Sequence, residues 1–121
     1  MTIRLKRVYE PSSPEDGERF LVERLWPRGI SRQALALDGW LKDIAPSNEL
    51  RRWYGHDPRK WGEFRQRYLA ELDRAPAALT LLLEACSRGT VTLLYSARNG
   101  ECSSAVALRD YLERHLNPDP T

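Results

Sequence analysis

Three segments of the chain carry the hydrophobic pattern of β-strands. Residues 3–9 partly alternate between apolar and polar side chains, and residues 19–25 form a second such segment. Residues 91–95 are almost wholly apolar, which is typical of a strand that is covered on both faces. The breaker-rich residues 11–17 lie between the first two segments and predict an exposed loop there.

Between and after these strands the pattern predicts helices. Ser31 is an N-cap residue type, and the apolar side chains after it recur at helical spacing: Ala34, Leu37, Leu41 and Ile44. Caps and prolines mark further helices: one capped by Ser47, one that starts at Asp57-Pro58, one that starts at Pro76, and one from about Ser103 or Ser104 to about Leu116.

Together these elements predict an α/β fold: a single compact domain with a small, mostly parallel sheet and helices packed on its faces. The long helical connection between the second and third strands is what parallel pairing requires. The connection between the first two strands is short for a parallel crossover, so the direction of the first strand stays open. No repeat or linker divides the 121 residues, so we expect one domain over 1–121, with 117–121 as a tail.

The composition of the chain mainly excludes classes of protein. The chain is 41% hydrophobic and 30% charged, and its net charge of +2 neither requires nor excludes nucleic acid. Cys86 and Cys102 are too few for a disulfide scaffold or a four-cysteine zinc site, and we expect no metal and no cofactor. No apolar run is long enough to cross a bilayer, and the N-terminal residues 1–7 lack the apolar segment that a signal peptide carries. We therefore expect a cytoplasmic protein without membrane contact; its oligomeric state stays open.

Arginine dominates the cationic side chains, with 16 Arg against 3 Lys. A guanidinium group binds carboxylates and phosphates in a bidentate way and stacks on aromatic faces, which 4 Trp and 5 Tyr supply here. This combination favours recognition of a phosphate, a carboxylate or a base. The alternative is that most of these arginines lie on solvated helix faces.

The first candidate site combines the loops that follow two strands. Its residues are Glu23, Arg24, Trp26 and Arg28 after the second strand, and Tyr95, Ser96 and Arg98 after the third. If the two strands are parallel, both loops open on the same edge of the sheet, where ligands bind in α/β proteins. We expect the three arginines and Ser96 to bind an anion, Trp26 and Tyr95 to wall the pocket, and Glu23 and Tyr95 to be the candidate catalytic groups. In the alternative, Glu23 and Arg24 form an internal ion pair and Trp26 is core.

A second candidate lies in residues 51–61, where basic and aromatic side chains interleave as they do on nucleic-acid-binding surfaces. His56 in this segment is a candidate general base. The alternative is that Trp53 and Trp61 belong to apolar helix faces and the rest is surface. Cys102 adjoins a predicted helix N-terminus, where a thiol pKa falls, but no partner His or Cys is near it in sequence.

Several strings of residues resemble a known family. In chain order they are residues 7–11, 21–30, 35–40, 45–51, 64–72 and 93–99. They resemble the YeaO-like branch of the domain-of-unknown-function 488 family, most specifically in the Arg-Leu-Trp-Pro-Arg-Gly string at 24–29. The resemblance implies a small α/β domain and no established activity.

The chain also departs from that family pattern. Glu23 stands where the family usually has Asp, and Ser103 and Ser104 stand where relatives commonly have Asn and His. If that His were the family's base, this chain would lack it, and whether an activity is lost with it stays open. More distant members carry Cys, Glu and Cys-His-Arg residues after the last strand, whereas this chain has Tyr95-Ser96-Ala97, so their chemistry does not transfer.

These observations favour an α/β domain that binds a small anionic ligand, a nucleotide or another phosphorylated small molecule; whether it is an enzyme stays open. One alternative is a nucleic-acid-binding or regulatory module that uses residues 51–61. Nucleic acid is an allowed partner but no pattern singles it out. The other alternative is a protein-interaction domain without a small ligand.

Overall fold

A parallel sheet of four strands lies at the centre of the fold. The computed structural model describes residues 2–74, 76–98 and 100–116, so the tail predicted at 117–121 lies outside the described residues. The strands are β1 (Ile3–Arg7), β2 (Glu18–Leu21), β3 (Gly39–Trp40) and β4 (Val91–Tyr95), in the order β1-β4-β2-β3. All three strand pairs are parallel, which determines the direction of β1 that the sequence left open. The carboxyl ends of the strands therefore share one edge.

The connection from β1 to β2 crosses over without an α-helix. Between the two strands the chain forms only a 3-10 turn, Pro14–Asp16. This turn is held against β4, because the Thr92 hydroxyl donates to the Asp16 carbonyl oxygen over 2.7 Å. Gly17 follows with a φ of +63°, and a Cβ there would lie 2.1 Å from the Thr90 carbonyl oxygen. Only glycine fits this close approach, which lets so short a connection join parallel strands.

Five α-helices complete the described elements. They are α1 (Arg32–Leu35), α2 (Asn48–Tyr54), α3 (Trp61–Leu72), α4 (Ala77–Arg88) and α5 (Ser104–Leu116). The predicted cap of α2 is confirmed, whereas Asp57 caps a 3-10 turn, Pro58–Lys60, and α3 begins after it without a side-chain cap. The Ser47 hydroxyl accepts from the Leu50 N–H over 3.2 Å, and the Asp57 carboxylate accepts from the Arg59 N–H over 3.0 Å in the 3-10 turn that leads into α3. None of the described helices has the length and apolar character that a membrane crossing needs.

The helix predicted after Ser31 is wrong beyond its first turn. Ser31 does cap α1, but Ala36 takes the left-handed conformation with φ 52°, and the helix ends after four residues. The chain then pairs with β2 as β3, and the Asp38 carboxylate accepts the Arg19 N–H over 2.7 Å. Hydrogen bonds to the edge of the sheet satisfy the backbone N–H and C=O groups of this segment, as the hydrogen bonds of a helix would. The predicted stripe is consequently divided, because Leu37 packs against the small hydrophobic cluster and Ile44 lies in the large one.

Alternation along the strands divides the core between the two faces of the sheet. Phe20 and Leu93 point into a large cluster that the side chains of α2 to α5 complete. Leu21 and Leu94, their neighbours, point into a small cluster on the other face. Each fully buried leucine stabilises the fold by about 1.5–3 kcal/mol. The large cluster holds the helices in place, and the small one is covered by α1 and the loop after β2.

Candidate functional site

A cavity of about 170 Å³ opens at the carboxyl edge of the sheet, between the ends of β2 and β4. The start of α5 and the end of α2 also contribute to its wall. Its polar side chains come from residues Glu23, Arg24, Arg51, Tyr54, His56, Tyr95, Ser96, Cys102, Ser103 and Ser104. Its apolar wall comes from Val22, Ala45, Pro46, Phe64 and Ala97. The predicted location of a site, beyond the carboxyl ends of two parallel strands, therefore contains a cavity.

Glu23 ties the ends of β2 and β4 together at the base of this cavity. Its carboxylate accepts the backbone N–H of Ser96, and it also accepts the Ser96 hydroxyl over 2.7 Å. From the other side of β4, the Arg7 guanidinium donates to the Ser96 carbonyl oxygen over 3.0 Å. These bonds explain why β2 ends earlier than the predicted 19–25, since Glu23 serves the loop after β4 rather than a strand ladder. Both oxygens of this candidate catalytic carboxylate are thus already engaged.

Arg24 lines the cavity and also supports its wall. Its Nε donates to the Pro46 carbonyl oxygen over 3.2 Å, and its Nη2 donates to the Ala45 carbonyl oxygen over 3.0 Å. The third nitrogen, Nη1, has no acceptor among the described residues, and no described carboxylate lies within 4.0 Å of the group. The ion pair with Glu23 that the sequence left open is therefore not formed. A guanidinium held this way keeps its positive charge at the cavity.

Arg51 and His56 join the cavity from α2 and the turn after it. Arg51 donates from Nη1 to the Asn48 side-chain oxygen over 3.3 Å, and it has no carboxylate partner in the part of the chain that the structure describes. Gly55 and His56 are both left-handed, with φ of 54° and 57°, which turns the chain sharply after α2. Sequence reasoning placed both side chains in the second candidate segment. The packing of α2 against α3, with Tyr54 stacked on Phe64, was the missing information, because it brings α2 and the turn after it to the cavity.

Tyr54 and Tyr95 supply aromatic surface. The Tyr54 ring stacks on Phe64 with centroids 4.1 Å apart, and its hydroxyl donates to the Cys102 carbonyl oxygen over 2.8 Å. Burial, and then the neighbouring Cys102 and Asp57, raise the pKa of the Tyr54 phenol, so it stays neutral at physiological pH. Tyr95 is half-buried and lines the cavity as predicted.

The remaining predicted site residues do not reach the cavity. Trp26 packs edge-on against Trp40 at 5.3 Å between ring centroids and belongs to the small cluster on the opposite face of the sheet. Arg28 and Arg98 are exposed, and neither lines the cavity. The expected convergence of three arginines is therefore not found. Burial of Trp26 turns the loop after Arg24 away from the cavity, and Arg28 follows it.

The aromatic residues at 51–61 are committed to packing. The Trp53 ring lies under two cations, with the Lys60 Nζ 5.1 Å and the Arg67 guanidinium 4.4 Å from its centroid. Trp61 stacks on Phe64 with centroids 5.7 Å apart. The rings of Trp53 and Trp61 thus pack against other side chains of the protein, which leaves less of their surface for stacking on nucleic-acid bases. Within residues 2–74, 76–98 and 100–116, no group of three or more His, Cys, Asp or Glu side chains is placed to hold a metal ion.

Comparison with known proteins places the chain in a family. Residues 2–120 match the model described as the inactive DUF488-N3 subclade. The uncharacterised protein YeaO of Escherichia coli K12 is 45% identical over 112 residues, which cover 93% of this chain and 97% of YeaO. The uncharacterised proteins Rv3073c of Mycobacterium tuberculosis H37Rv and Mb3100c of Mycobacterium bovis are each 43% identical over 110 residues, which cover 91% of this chain and 92% of theirs. No solved structure matches. With a family model along almost its whole length and relatives this similar, the chain belongs to the YeaO-like branch of the DUF488 family.

Proposed function

We propose that this protein binds a small anion through a phosphate or carboxylate group in the cavity at the carboxyl edge of its sheet, without chemical turnover. The observation that carries the proposal is the pair of guanidinium groups, Arg24 and Arg51, that line the cavity with no carboxylate of the described residues within 4.0 Å. Arg24 is half-buried and Arg51 is exposed, and a guanidinium group forms strong charge-assisted hydrogen bonds with an anion.

The helices and loops around the cavity also favour a negatively charged ligand. The first N–H groups of a helix have no intrahelical acceptor, and α5 begins at Ser104 in the wall of the cavity. Arg24 comes from the loop after β2 and Arg51 from α2, so donors approach from separate elements. An anion between them would be held from several directions.

The size of the cavity supports a small ligand. Pockets for drug-sized molecules and cofactors usually measure about 300–1,000 Å³. At about 170 Å³ this cavity is smaller, so it suits a compact phosphorylated or carboxylated molecule better than a whole nucleotide.

Binding without turnover is supported by the state of the candidate catalytic groups. Both Glu23 oxygens accept bonds from Ser96, which lowers their availability as a base. Ser104 stands where the family resemblance places a histidine. The matching family model is itself described as an inactive subclade. We therefore assign Tyr95 to the wall of the cavity rather than to acid–base chemistry.

Thermal shift and calorimetry with inorganic phosphate, sulfate and acetate test the proposal at constant ionic strength. A ligand at ten times its Kd stabilises the folded protein by about 1.4 kcal/mol, which raises the melting temperature by several degrees. Arg51→Gln should abolish the shift. Arg52→Gln is the matched control, because Arg52 is the next residue of α2, is exposed and does not line the cavity. No stabilisation by any anion at millimolar concentration would remove the proposal.

The two alternatives receive less support. Trp53 is covered by Lys60 and Arg67, which weakens the case for a nucleic-acid surface at 51–61. Fluorescence anisotropy with single- and double-stranded oligonucleotides at low salt tests that alternative, since phosphate contacts are strongest there. A purely protein-binding domain would leave the cavity without a ligand, which the anion titration tests directly.

A further inference from the structure

We infer that the ligand is a small phosphate monoester that carries hydroxyl groups; this inference rests on the anion site proposed above and names its ligand class. It follows because side chains of both charges line the cavity. Arg24 and Arg51 favour an anion, but the carboxylate of Glu23 lines the same cavity. A ligand that satisfies both sides must combine an anionic end with a hydrogen-bond donor.

Glu23 retains capacity to accept a further hydrogen bond. An ionised carboxylate has about four lone-pair sites. Ser96 supplies two donors to them, its N–H and its hydroxyl, and no described cation lies within 4.0 Å of the carboxylate. An anion without a hydrogen-bond donor, such as sulfate, would leave this negative charge facing another negative charge. A ligand hydroxyl beside Glu23 replaces that repulsion by a charge-assisted bond.

A hydroxyl group fits better than an ammonium group. Arg24, Arg51 and the nearby His56 already bring cationic or ionisable nitrogen to a cavity of about 170 Å³, so an ammonium group would be repelled by its neighbours. The Glu23 charge is also already stabilised by the Ser96 N–H and hydroxyl and does not require a counter-ion. A neutral hydroxyl group is therefore a better donor to Glu23 than an ammonium group.

A phosphate group fits the donors better than a carboxylate. The two guanidinium groups come from different elements, and the start of α5 with the Ser104 hydroxyl adds donors from a third. The three terminal oxygens of a tetrahedral phosphate can meet donors from three directions, whereas a carboxylate offers two oxygens in one plane. The stacked rings of Tyr54 and Phe64 provide apolar surface for a short carbon chain.

The cavity volume limits the length of that chain. At about 170 Å³ the cavity limits the ligand to a molecule smaller than the drug-sized ones that fill pockets of about 300–1,000 Å³. A phosphate with a carbon chain of about three hydroxylated atoms is near that limit. Larger phosphorylated sugars would extend past the mouth of the cavity.

Calorimetric titration with four probes tests the inference: inorganic phosphate, ethyl phosphate, glycerol 3-phosphate and glycerate. Ethyl phosphate has the phosphate without hydroxyls, and glycerate has hydroxyls with a carboxylate. We expect glycerol 3-phosphate to bind about tenfold more tightly than ethyl phosphate and more tightly than glycerate. In Glu23→Gln, which preserves the shape and an acceptor for the Ser96 N–H, the advantage over ethyl phosphate should fall to about twofold. Glu49→Gln is the control, because Glu49 is an exposed carboxylate outside the cavity.

The possible results separate this inference from the proposed function. Equal binding of ethyl phosphate and glycerol 3-phosphate would overturn the inference and leave the anion site standing. Tighter binding of glycerate than of glycerol 3-phosphate would overturn the choice of phosphate. No binding of any probe would remove the proposed function itself. Because the comparison between ethyl phosphate and glycerol 3-phosphate uses the unaltered protein, it decides the matter even if Glu23→Gln does not fold.

Discussion

Replacing Asp16 by Asn removes the negative charge from a buried ionic cluster far from the cavity. The Asp16 side chain is 0% exposed and accepts from the Lys6 Nζ over 3.0 Å and from the Arg19 guanidinium. Arg4 Nη1 lies 3.6 Å from the same carboxylate. Burial by itself raises the pKa of Asp16, but the hydrogen bonds from Lys6, the Ser13 N–H and Arg19 outweigh it and lower the pKa below its ordinary value.

The substitution should be costly because it leaves two cations partly buried without their counter-ion. Breaking a buried pair by removing one partner costs about 3–5 kcal/mol, and we expect about 3 kcal/mol here since Asn keeps one acceptor oxygen. Domains of this size have a free energy of unfolding of about 5–15 kcal/mol. With a urea m-value of about 1.5 kcal/mol/M, the unfolding midpoint should fall by about 2 M.

The pH dependence of this loss in the free energy of unfolding gives a sharper test than its size. Because the folded-state pKa of Asp16 lies below the unfolded-state value of about 4, its contribution is fully present above that pH and is lost as pH falls through the folded-state pKa. The difference between wild type and Asp16→Asn should therefore be constant from about pH 5 to pH 8 and shrink in acid. Glu15→Gln, at an exposed side chain, is the control and should change stability by less than about 0.5 kcal/mol. A loss at neutral pH below about 1 kcal/mol, or one unchanged at pH 3, would refute the reasoning.

Three further substitutions should each change the midpoint of urea or thermal unfolding. Tyr68→Phe should lose about 1–2 kcal/mol, because the buried Tyr68 hydroxyl donates to the Ile44 carbonyl oxygen over 2.6 Å and Phe leaves that oxygen without its donor; a loss near zero would contradict this. Gly17→Ala should lose about 3 kcal/mol or more, since its Cβ would meet the Thr90 carbonyl oxygen, and near-wild-type stability would show that the turn adapts. Arg24→Gln should lose about 1–2 kcal/mol with its two bonds to backbone carbonyls, and equal stability to wild type would disprove that supporting role.

Local signals were enough to predict most elements of the fold. Residues 91–95 are almost wholly apolar and form a strand that is covered on both faces. Ser47 and Asp57 carry the cap chemistry that starts α2 and the turn before α3. The failure between Ser31 and Ile44 has a non-local cause. The apolar spacing there fits a helix, but the edge of β2 offers hydrogen bonds that sequence spacing does not reveal.

The sequence predicted the edge of the sheet where the cavity lies, but only some of the residues that line the cavity. Parallel strands put the loops after β2 and β4 at one edge, which brought Glu23, Arg24 and Ser96 together with Tyr95. The direction of the loop after Arg24 depends on which face buries Trp26, and that choice is set by Trp40 in a segment expected to be helical. The same limit hid Arg51, whose helix reaches the cavity only through packing against α3.

The order of the strands has a consequence for biosynthesis. β4 lies between β1 and β2 and is the last strand of the described sheet to leave the ribosome, since Ile3 pairs with Val91. At about 5–20 residues per second, the nascent chain carries its first two strands for roughly 3.5–14 s before the strand that joins them is synthesised. During that interval the backbone N–H and C=O groups through which β1 and β2 pair with β4 are open to chaperones and to other nascent chains, so translation speed over the intervening helices bears on the yield of folded protein.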